Sequence, residues 1–240
     1  MRALLIALQF LTILPVKLQG EFSEQDIGRS LLFYPVVGLL IGIVLSLFAW
    51  GLNAQSPMVS AIIVLAVWVT LTGALHIDGL ADSADAWLGG IGDKAKTLNI
   101  MKDPAAGPIA VVTIVLVLLI KFVMLTVLLS QQNWWALIWS VILARTALPL
   151  LFLTTDYVRP HGLGSILKQQ QSGVHTRRLM LLIGVLALFS IGLFALLFGL
   201  LVFLLLRYLM QRRLNGFTGD TAGAMVELLE AALLIFFVLF

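Results

Sequence analysis

Long apolar runs constrain this chain more than any other feature. Residues 179–210 form a stretch of more than thirty residues that is apolar for almost its whole length, well beyond the roughly 18 residues that indicate a membrane-spanning helix. Of the 240 residues, 61% are apolar and only 11% are charged, which leaves too little polar surface for a soluble globule of this size. The sequence therefore predicts an all-α, polytopic integral membrane bundle.

The number of crossings follows from helix length. As one helix, residues 179–210 would extend about 48 Å against a hydrocarbon core of about 30 Å. We therefore predict two passes, with a tight turn near residues 190–193. Residues 3–16 follow Arg2, end near Pro15 and predict an interfacial or half-inserted helix rather than a cleaved signal peptide. Together with the spans below, we expect about seven transmembrane helices in a single domain covering residues 1–240. The other spans are predicted near 31–53, 57–75, 108–130, 134–155 and 222–240.

The basic residues agree with this count. The connections at residues 53–57 and 130–133 carry no charge, whereas the alternate connections carry lysines and arginines. The positive-inside rule places these positive connections in the cytoplasm, together with the amino terminus. The basic residues on that side are Arg2, Lys17, Arg29, Lys94, Lys96, Lys102, Arg159, Lys168, Arg177, Arg178, Arg212 and Arg213.

Acidic side chains are concentrated in the predicted cytoplasmic loop after the second span. Asp78, Asp82 and Asp85 are spaced by four and three residues, so on a helix they share one face. Carboxylates this close raise one another's pKa unless a cation lies among them, and an all-oxygen set suits Mg²⁺ or Mn²⁺. A solvated acidic helix face is the alternative. His76 beside them is a ligand, a base or a packed helix-end histidine.

Two further segments have the composition of a phosphate site. Lys102 and Asp103 lie in a bend containing Pro104 and Pro108, where they return to the acidic surface or form no more than a turn. Before the last span, arginines including Arg213 enter a glycine-bearing turn that predicts an anion site. In the same segment, Asp220 either binds a metal or caps the last helix.

Several charged residues fall inside predicted spans, among them Arg145, Lys121 and Glu227. Arg145 lies near the middle of its span, so we expect an interior partner such as Glu227 or a bound anionic ligand. Lys121 either extends towards the membrane interface or serves a function. Buried acid in a membrane helix ordinarily has a partner, and Glu227 is therefore a candidate for the site.

Together these segments resemble the cobalamin synthase family, the adenosylcobinamide-GDP ribazoletransferases. The resemblance spans the whole chain, although Asn99, Asn215 and Ala86 depart from the family pattern. The motifs that carry it are residues 76–85 (His-Ile-Asp-Gly-Leu-Ala-Asp-Ser-Ala-Asp), 100–103 (Ile-Met-Lys-Asp) and 218–224 (Thr-Gly-Asp-Thr-Ala-Gly-Ala), with the earlier 9–12 (Gln-Phe-Leu-Thr), Pro15, 33–35 (Phe-Tyr-Pro) and Gly38.

The resemblance implies a reaction and a set of roles. A ribose hydroxyl of α-ribazole, or of its 5′-phosphate, attacks the pyrophosphate of adenosylcobinamide-GDP, GMP leaves, and Mg²⁺ is the cofactor. The catalytic group implied is Asp78, Asp82, Asp85, Lys102 and Asp103; the substrate-binding group is His76, Arg145, Arg213, Thr218 and Gly219; the metal ligands are Asp78, Asp82, Asp85, Asp220 and Glu227.

The same resemblance implies the setting of the protein. We expect a multi-pass protein of the cytoplasmic (inner) membrane, with its active-site loops on the cytoplasmic side. The lipid bilayer and the two substrates are the expected partners, nucleic acid is not, and a homo-oligomer is left open.

Two other functions compete with this interpretation. CDP-alcohol phosphotransferases also carry aspartates at the end of a membrane helix, but their signature sets an arginine after the Asp-Gly-x-x-Ala element, whereas here Asp82 directly follows Ala81. A secondary transporter would use Arg145, Lys121 and Glu227 as a relay. It would leave the loop aspartates unexplained.

Overall fold

The structure, a computed structural model, describes residues 2–16 and 23–240 and is helical almost throughout. Lys17, one of the basic residues used for the topology, lies outside the described residues. All named elements of the described residues are helical, including a single turn of 3₁₀ helix, Leu31–Phe33, that joins the second and third α-helices. The predicted all-α class is therefore confirmed. The helices are α1 (Arg2–Leu11), α2 (Glu24–Ser30), α3 (Tyr34–Gly51), α4 (Pro57–Leu71), α5 (Leu75–Gly89), α6 (Lys94–Ile100), α7 (Pro108–Ser130), α8 (Trp134–Thr154), α9 (Leu163–Gln170), α10 (Gly173–Leu214) and α11 (Gly219–Leu239).

Five helices in the described part are long and apolar enough to cross a membrane. They are α2 with α3 as one unit, α7, α8, α10 and α11, and the bent pair α4–α5 gives a sixth if it counts as one span. α8 and α11 lie inside the bundle, whereas α7 and α10 turn apolar side chains such as Val115 and Leu201 outward. The protein is therefore a multi-pass helical bundle, and the count of seven stays a prediction.

α10 is folded back on itself at Gly192. This residue has φ 82° and ψ 170° inside a helical segment of 42 residues, a conformation open to glycine and costly for other residues. Met180 and Phe203 line one cavity of 230 Å³, whereas an unbroken helix would place them about 35 Å apart. The break falls within the turn predicted at residues 190–193, and it divides α10 into two halves that lie side by side.

The second predicted span ends earlier than expected. α4 ends at Leu71, and α5 then leaves at an angle of 86°. Gly73 and Ala74 make the bend with φ of 61° and 55°. The acidic segment was expected in a loop or as a continuation of α4. It forms a helix of its own.

Candidate active site

The site is built where α5 crosses α11. A Cβ atom on Gly79 would lie 2.6 Å from the backbone carbonyl oxygen of Asp220, and one on Gly223 would lie 3.3 Å from the Cα of His76. Only residues without a Cβ let the two backbones approach this closely. The contact brings Asp220, at the start of α11, beside the α5 aspartates.

The groups that shift the pKa of Asp82 indicate which aspartates share this surface. Burial raises the pKa of Asp82 to about 6, with further increases from Asp78, Asp220 and Asp85 and a decrease from Arg159. Asp78 is exposed and Asp82 is partly exposed. The part of this increase that comes from repulsion between carboxylates is the part that a divalent cation would relieve. The all-oxygen donor set therefore fits Mg²⁺, although within residues 2–16 and 23–240 no three acidic or imidazole groups are already spaced as a ligand set.

Asp85 is engaged elsewhere. Its two carboxylate oxygens accept hydrogen bonds from the backbone N–H groups of Gly107 (2.5 Å) and Ala110 (2.9 Å). These groups belong to the first turn of α7, where unpaired amides and the helix dipole favour a negative charge. The structure thus places Asp85 as an anchor between α5 and α7, beside the cluster to which it was predicted to contribute.

Lys102 and Asp103 lie on the exposed turn between α6 and α7. Asp103 accepts a hydrogen bond from the backbone N–H of Ala105 at 3.0 Å, and Lys102 forms no ion pair among the described residues. Because Gly107 binds Asp85, this turn runs alongside α5. The structure does not bring Lys102 or Asp103 into contact with the other aspartates, and their catalytic roles stay predictions.

The turn before α11 has its own hydrogen bonds. Arg213 donates from Nε to the Thr97 hydroxyl at 3.1 Å and from Nη2 to the Trp87 carbonyl at 2.9 Å, which ties α10 to α5 and α6. Thr218, followed by the exposed Gly219, caps α11 through a reciprocal pair of bonds with Thr221. Thr218, and not Asp220, is therefore the residue that caps α11, and the substrate-binding roles of Thr218 and Gly219 stay predictions.

Arg159 is a site residue that the sequence interpretation treated only as a topology marker. Its Nη2 donates to Asp220 Oδ2 at 2.6 Å, and its buried Nε has no partner among the described residues. The loop carrying it is fixed by two backbone hydrogen bonds, from Val158 to the Phe217 carbonyl and from Phe217 to the Asp156 carbonyl, both 2.9 Å. No sequence signal distinguishes Arg159 from the other basic loop residues.

A second charged cluster lies inside the bundle. Lys121 Nζ lies 2.5 Å from Glu227 Oε2 and also binds Glu230, and Arg145 pairs with Glu230. All four side chains are at most 4% exposed. The expected partner of Arg145, Glu227, is thus replaced by Glu230, because the rotation of α11 turns Glu230 towards α8. Glu227 lies two helical turns beyond Asp220, about 10 Å along the axis, and is paired there with Lys121.

His76 lies between the two clusters. It is 4% exposed, lines a cavity next to Asp78 and Asp220, and its Nε2 has no hydrogen-bond partner among the described residues. Burial lowers the pKa of His76 well below its ordinary value, and the positive charges of Arg145 and Lys121 lower it further. The imidazole is therefore neutral at physiological pH.

The fold and the site define a class of protein. It is a multi-pass helical membrane protein with clustered aspartates and an arginine at one end of its bundle, where α4 and α8 end and α7 and α11 begin. Sequence comparison identifies the family within this class. The sequence model described as cobalamin-5-phosphate synthase matches residues 3–238, and the chain belongs to this family. The resemblance drawn from the motifs is confirmed.

Three relatives are similar over essentially their whole length, and each is named adenosylcobinamide-GDP ribazoletransferase. The protein of Stutzerimonas stutzeri strain A1501 is 54% identical, covering 98% of this chain and 97% of its own. That of Pseudomonas fluorescens strain Pf0-1 is 52% identical over all of both chains. That of Pseudomonas aeruginosa strain PAO1 is 51% identical, covering 98% and 97%. No solved structure matches the chain.

Proposed function

We propose that this chain joins α-ribazole, or its 5′-phosphate, to adenosylcobinamide-GDP and releases GMP, which completes the nucleotide loop of adenosylcobalamin. Its family and the names of its relatives support this reaction. The structural observation that supports it best is the convergence of Asp78, Asp82 and Asp220 at the α5–α11 crossing, with Arg159 bound to Asp220. Phosphoryl transfer requires this combination of carboxylates and a cation at the phosphate.

The bonds change as follows. A ribose hydroxyl oxygen attacks the phosphorus that carries the cobinamide arm, and the bond from this phosphorus to the bridging oxygen breaks. GMP leaves with the bridging oxygen, and the hydroxyl proton passes to a carboxylate of the cluster. Bound Mg²⁺ would neutralise charge on the pyrophosphate.

Each residue of the candidate site would have a distinct role in this reaction. Asp78, Asp82 and Asp220 would hold Mg²⁺, since burial raises the pKa of Asp82 and the charges of Asp78 and Asp220 on the same surface raise it further. The unpartnered Nε of Arg159 would donate to a pyrophosphate oxygen while Nη2 stays on Asp220. Asp85 fixes the distance between α5 and α7, which keeps the cluster on one face.

We also propose that the site faces the cytoplasm from the inner membrane and that the whole chain acts as one domain. Arg159, Lys168 and Arg213 form hydrogen bonds at the end of the bundle that holds the aspartates, and the positive-inside rule assigns a basic end to the cytoplasmic side. Both halves of α10 reach this end: Gln171 donates to the Pro149 carbonyl (2.8 Å), and Arg207 donates to the Thr154 carbonyl (2.6 Å).

The test is a reaction with purified protein in liposomes. Adenosylcobinamide-GDP and α-ribazole are supplied with and without Mg²⁺, and GMP and the corrinoid product are quantified by chromatography. The proposal expects both products in equal amounts and only with Mg²⁺. Folded protein that forms neither product from intact substrates would overturn it, and a parallel reaction with CDP-activated headgroup donors would then test the lipid phosphotransferase alternative.

A further inference from the structure

A cavity of 240 Å³ opens beside the aspartates, between the helices that meet at the α5–α11 crossing. Its walls carry four aromatic rings, from Phe10 of α1, Tyr34 of α3, Phe152 of α8 and Tyr157 of the loop before α9. We call this space the aromatic cavity. None of these rings is required by the metal site or by the ion pairs described above.

The rings are arranged in two nearly parallel pairs. Phe10 and Tyr34 have centroids 6.3 Å apart with 20° between their planes, and Phe152 and Tyr157 have centroids 6.2 Å apart with 16°. Aromatic walls favour a planar aromatic ligand, because ring–ring contacts and the burial of apolar surface both contribute to binding.

A single unsatisfied polar group faces the same space. His76 lines the cavity, is 4% exposed, and its Nε2 has no hydrogen-bond partner within the described ranges. Leaving such a group unpaired costs about 1–3 kcal/mol. A ligand that supplies its partner would recover this cost.

The side chains that line the cavity differ in exposure, from buried aromatic rings to solvent-accessible aspartates. Tyr34 is 1% exposed and Phe152 is 6% exposed, whereas Asp78 is exposed and the side chain of Asp220 is 19% exposed. A ligand with an apolar planar part and a hydroxyl-bearing part would therefore bury the first and present the second to the aspartates.

We propose that the aromatic cavity is the acceptor subsite, which binds the aromatic base of α-ribazole and presents its ribose to Asp78 and Asp220. This assignment rests on the proposed function. The base is planar and apolar, with one ring nitrogen that can only accept a hydrogen bond. The unpartnered Nε2 of His76 donates to that nitrogen when it carries the imidazole proton, and the attached ribose then reaches the carboxylates at the open end.

The test measures α-ribazole binding to detergent-solubilised protein by calorimetry, without the corrinoid substrate. Ala222→Leu fills the aromatic cavity, and Ala224→Leu is its control. Both alanines lie on α11 and are 5% and 6% exposed, but Ala224 lines a different cavity of 360 Å³. Ala222→Leu and His76→Leu should each weaken binding about tenfold, the latter by loss of one hydrogen bond. Ala224→Leu should bind as the wild type does.

A measurement on the wild type keeps the test decisive if a variant does not fold. Saturation-transfer NMR should show stronger transfer from protein to the base protons than to the ribose protons. Equal transfer to both, or wild-type affinity in folded Ala222→Leu and His76→Leu, overturns the subsite. If these variants bind weakly while the wild type releases no GMP from adenosylcobinamide-GDP, the subsite stands and the proposed transfer fails. Normal GMP release by the wild type, with unchanged binding in both variants, overturns the subsite and leaves the proposed transfer intact.

Discussion

The close crossing of α5 and α11 makes Gly79 the most sensitive position outside the charged groups. In Gly79→Ala, the new Cβ would lie 2.6 Å from the carbonyl oxygen of Asp220, whereas ordinary contacts begin near 3.4 Å. The atom it meets is backbone, so the conflict cannot be relieved by a side-chain rotation. The two helices must therefore separate by about 0.8 Å, which moves Asp78 and Asp82 away from Asp220.

The expected effect is large on catalysis and smaller on stability. A displacement of about 1 Å at a reacting centre costs about a hundredfold in rate, equivalent to about 2.7 kcal/mol of activation free energy. Overpacking of this kind costs about 1–3 kcal/mol of folding free energy. The assay is GMP release at saturating substrates, together with thermal unfolding in detergent and the Mg²⁺ concentration for half-maximal rate.

Gly184→Ala is the matched control. Its Cβ would meet nothing within 4 Å, so the same substitution in a helix should keep the wild-type rate and stabilise the helix by about 0.5–1 kcal/mol. If Gly79→Ala retains the wild-type rate and Mg²⁺ dependence, the α5–α11 crossing does not position the site and the reasoning is refuted.

Three further predictions concern charge. The pKa of Asp82 is raised from 3.8 to about 6, so the stability it contributes is present below pH 4 and is lost as the pH rises through 6. Without Mg²⁺ the melting temperature should therefore fall between about pH 4 and 6, and both Mg²⁺ and Asp82→Asn should suppress this fall. Lys121→Met leaves two buried glutamates with one cation and should destabilise the protein by about 3–5 kcal/mol in thermal unfolding. Arg159→Gln removes the donor beside Asp220 and should raise the KM for adenosylcobinamide-GDP about tenfold.

Each of these has a clear contrary result. The same loss of melting temperature with pH in Asp82→Asn would show that other groups cause it. A Lys121→Met protein with the melting temperature of the wild type would mean that the buried ion cluster does not stabilise the fold. An unchanged KM in folded Arg159→Gln would remove this arginine from the substrate site.

The sequence was sufficient for the membrane class and for part of the site. Apolar run length predicted a multi-pass bundle and the turn at Gly192, where glycine permits the left-handed conformation. The spacing of the α5 aspartates predicted a shared face, and the motif order linked them to Asp220. These features are local, or are carried by residue identity, and can therefore be read without coordinates.

Other features depend on tertiary contacts and could not be predicted. Ala74 adopts a left-handed conformation that its residue type disfavours, so its identity did not predict the bend before α5. The choice of Glu230 over Glu227 for Arg145 depends on the rotation of α11 against α8. Arg159 reaches Asp220 only because its loop pairs with Phe217, which is distant in the sequence.

The central claim is that Asp78, Asp82 and Asp220 form one Mg²⁺-dependent site for the release of GMP. The most direct measurement is the Mg²⁺ dependence of GMP release in Asp82→Asn and Asp220→Asn, with Asp93→Asn as the control. Asp93 only caps α6, through a 3.0 Å bond from the backbone N–H of Lys96. We expect both site variants to need at least about tenfold more Mg²⁺ or to lose activity, since each removes an anionic ligand, while the control follows the wild type. Wild-type Mg²⁺ dependence in either site variant would contradict the claim.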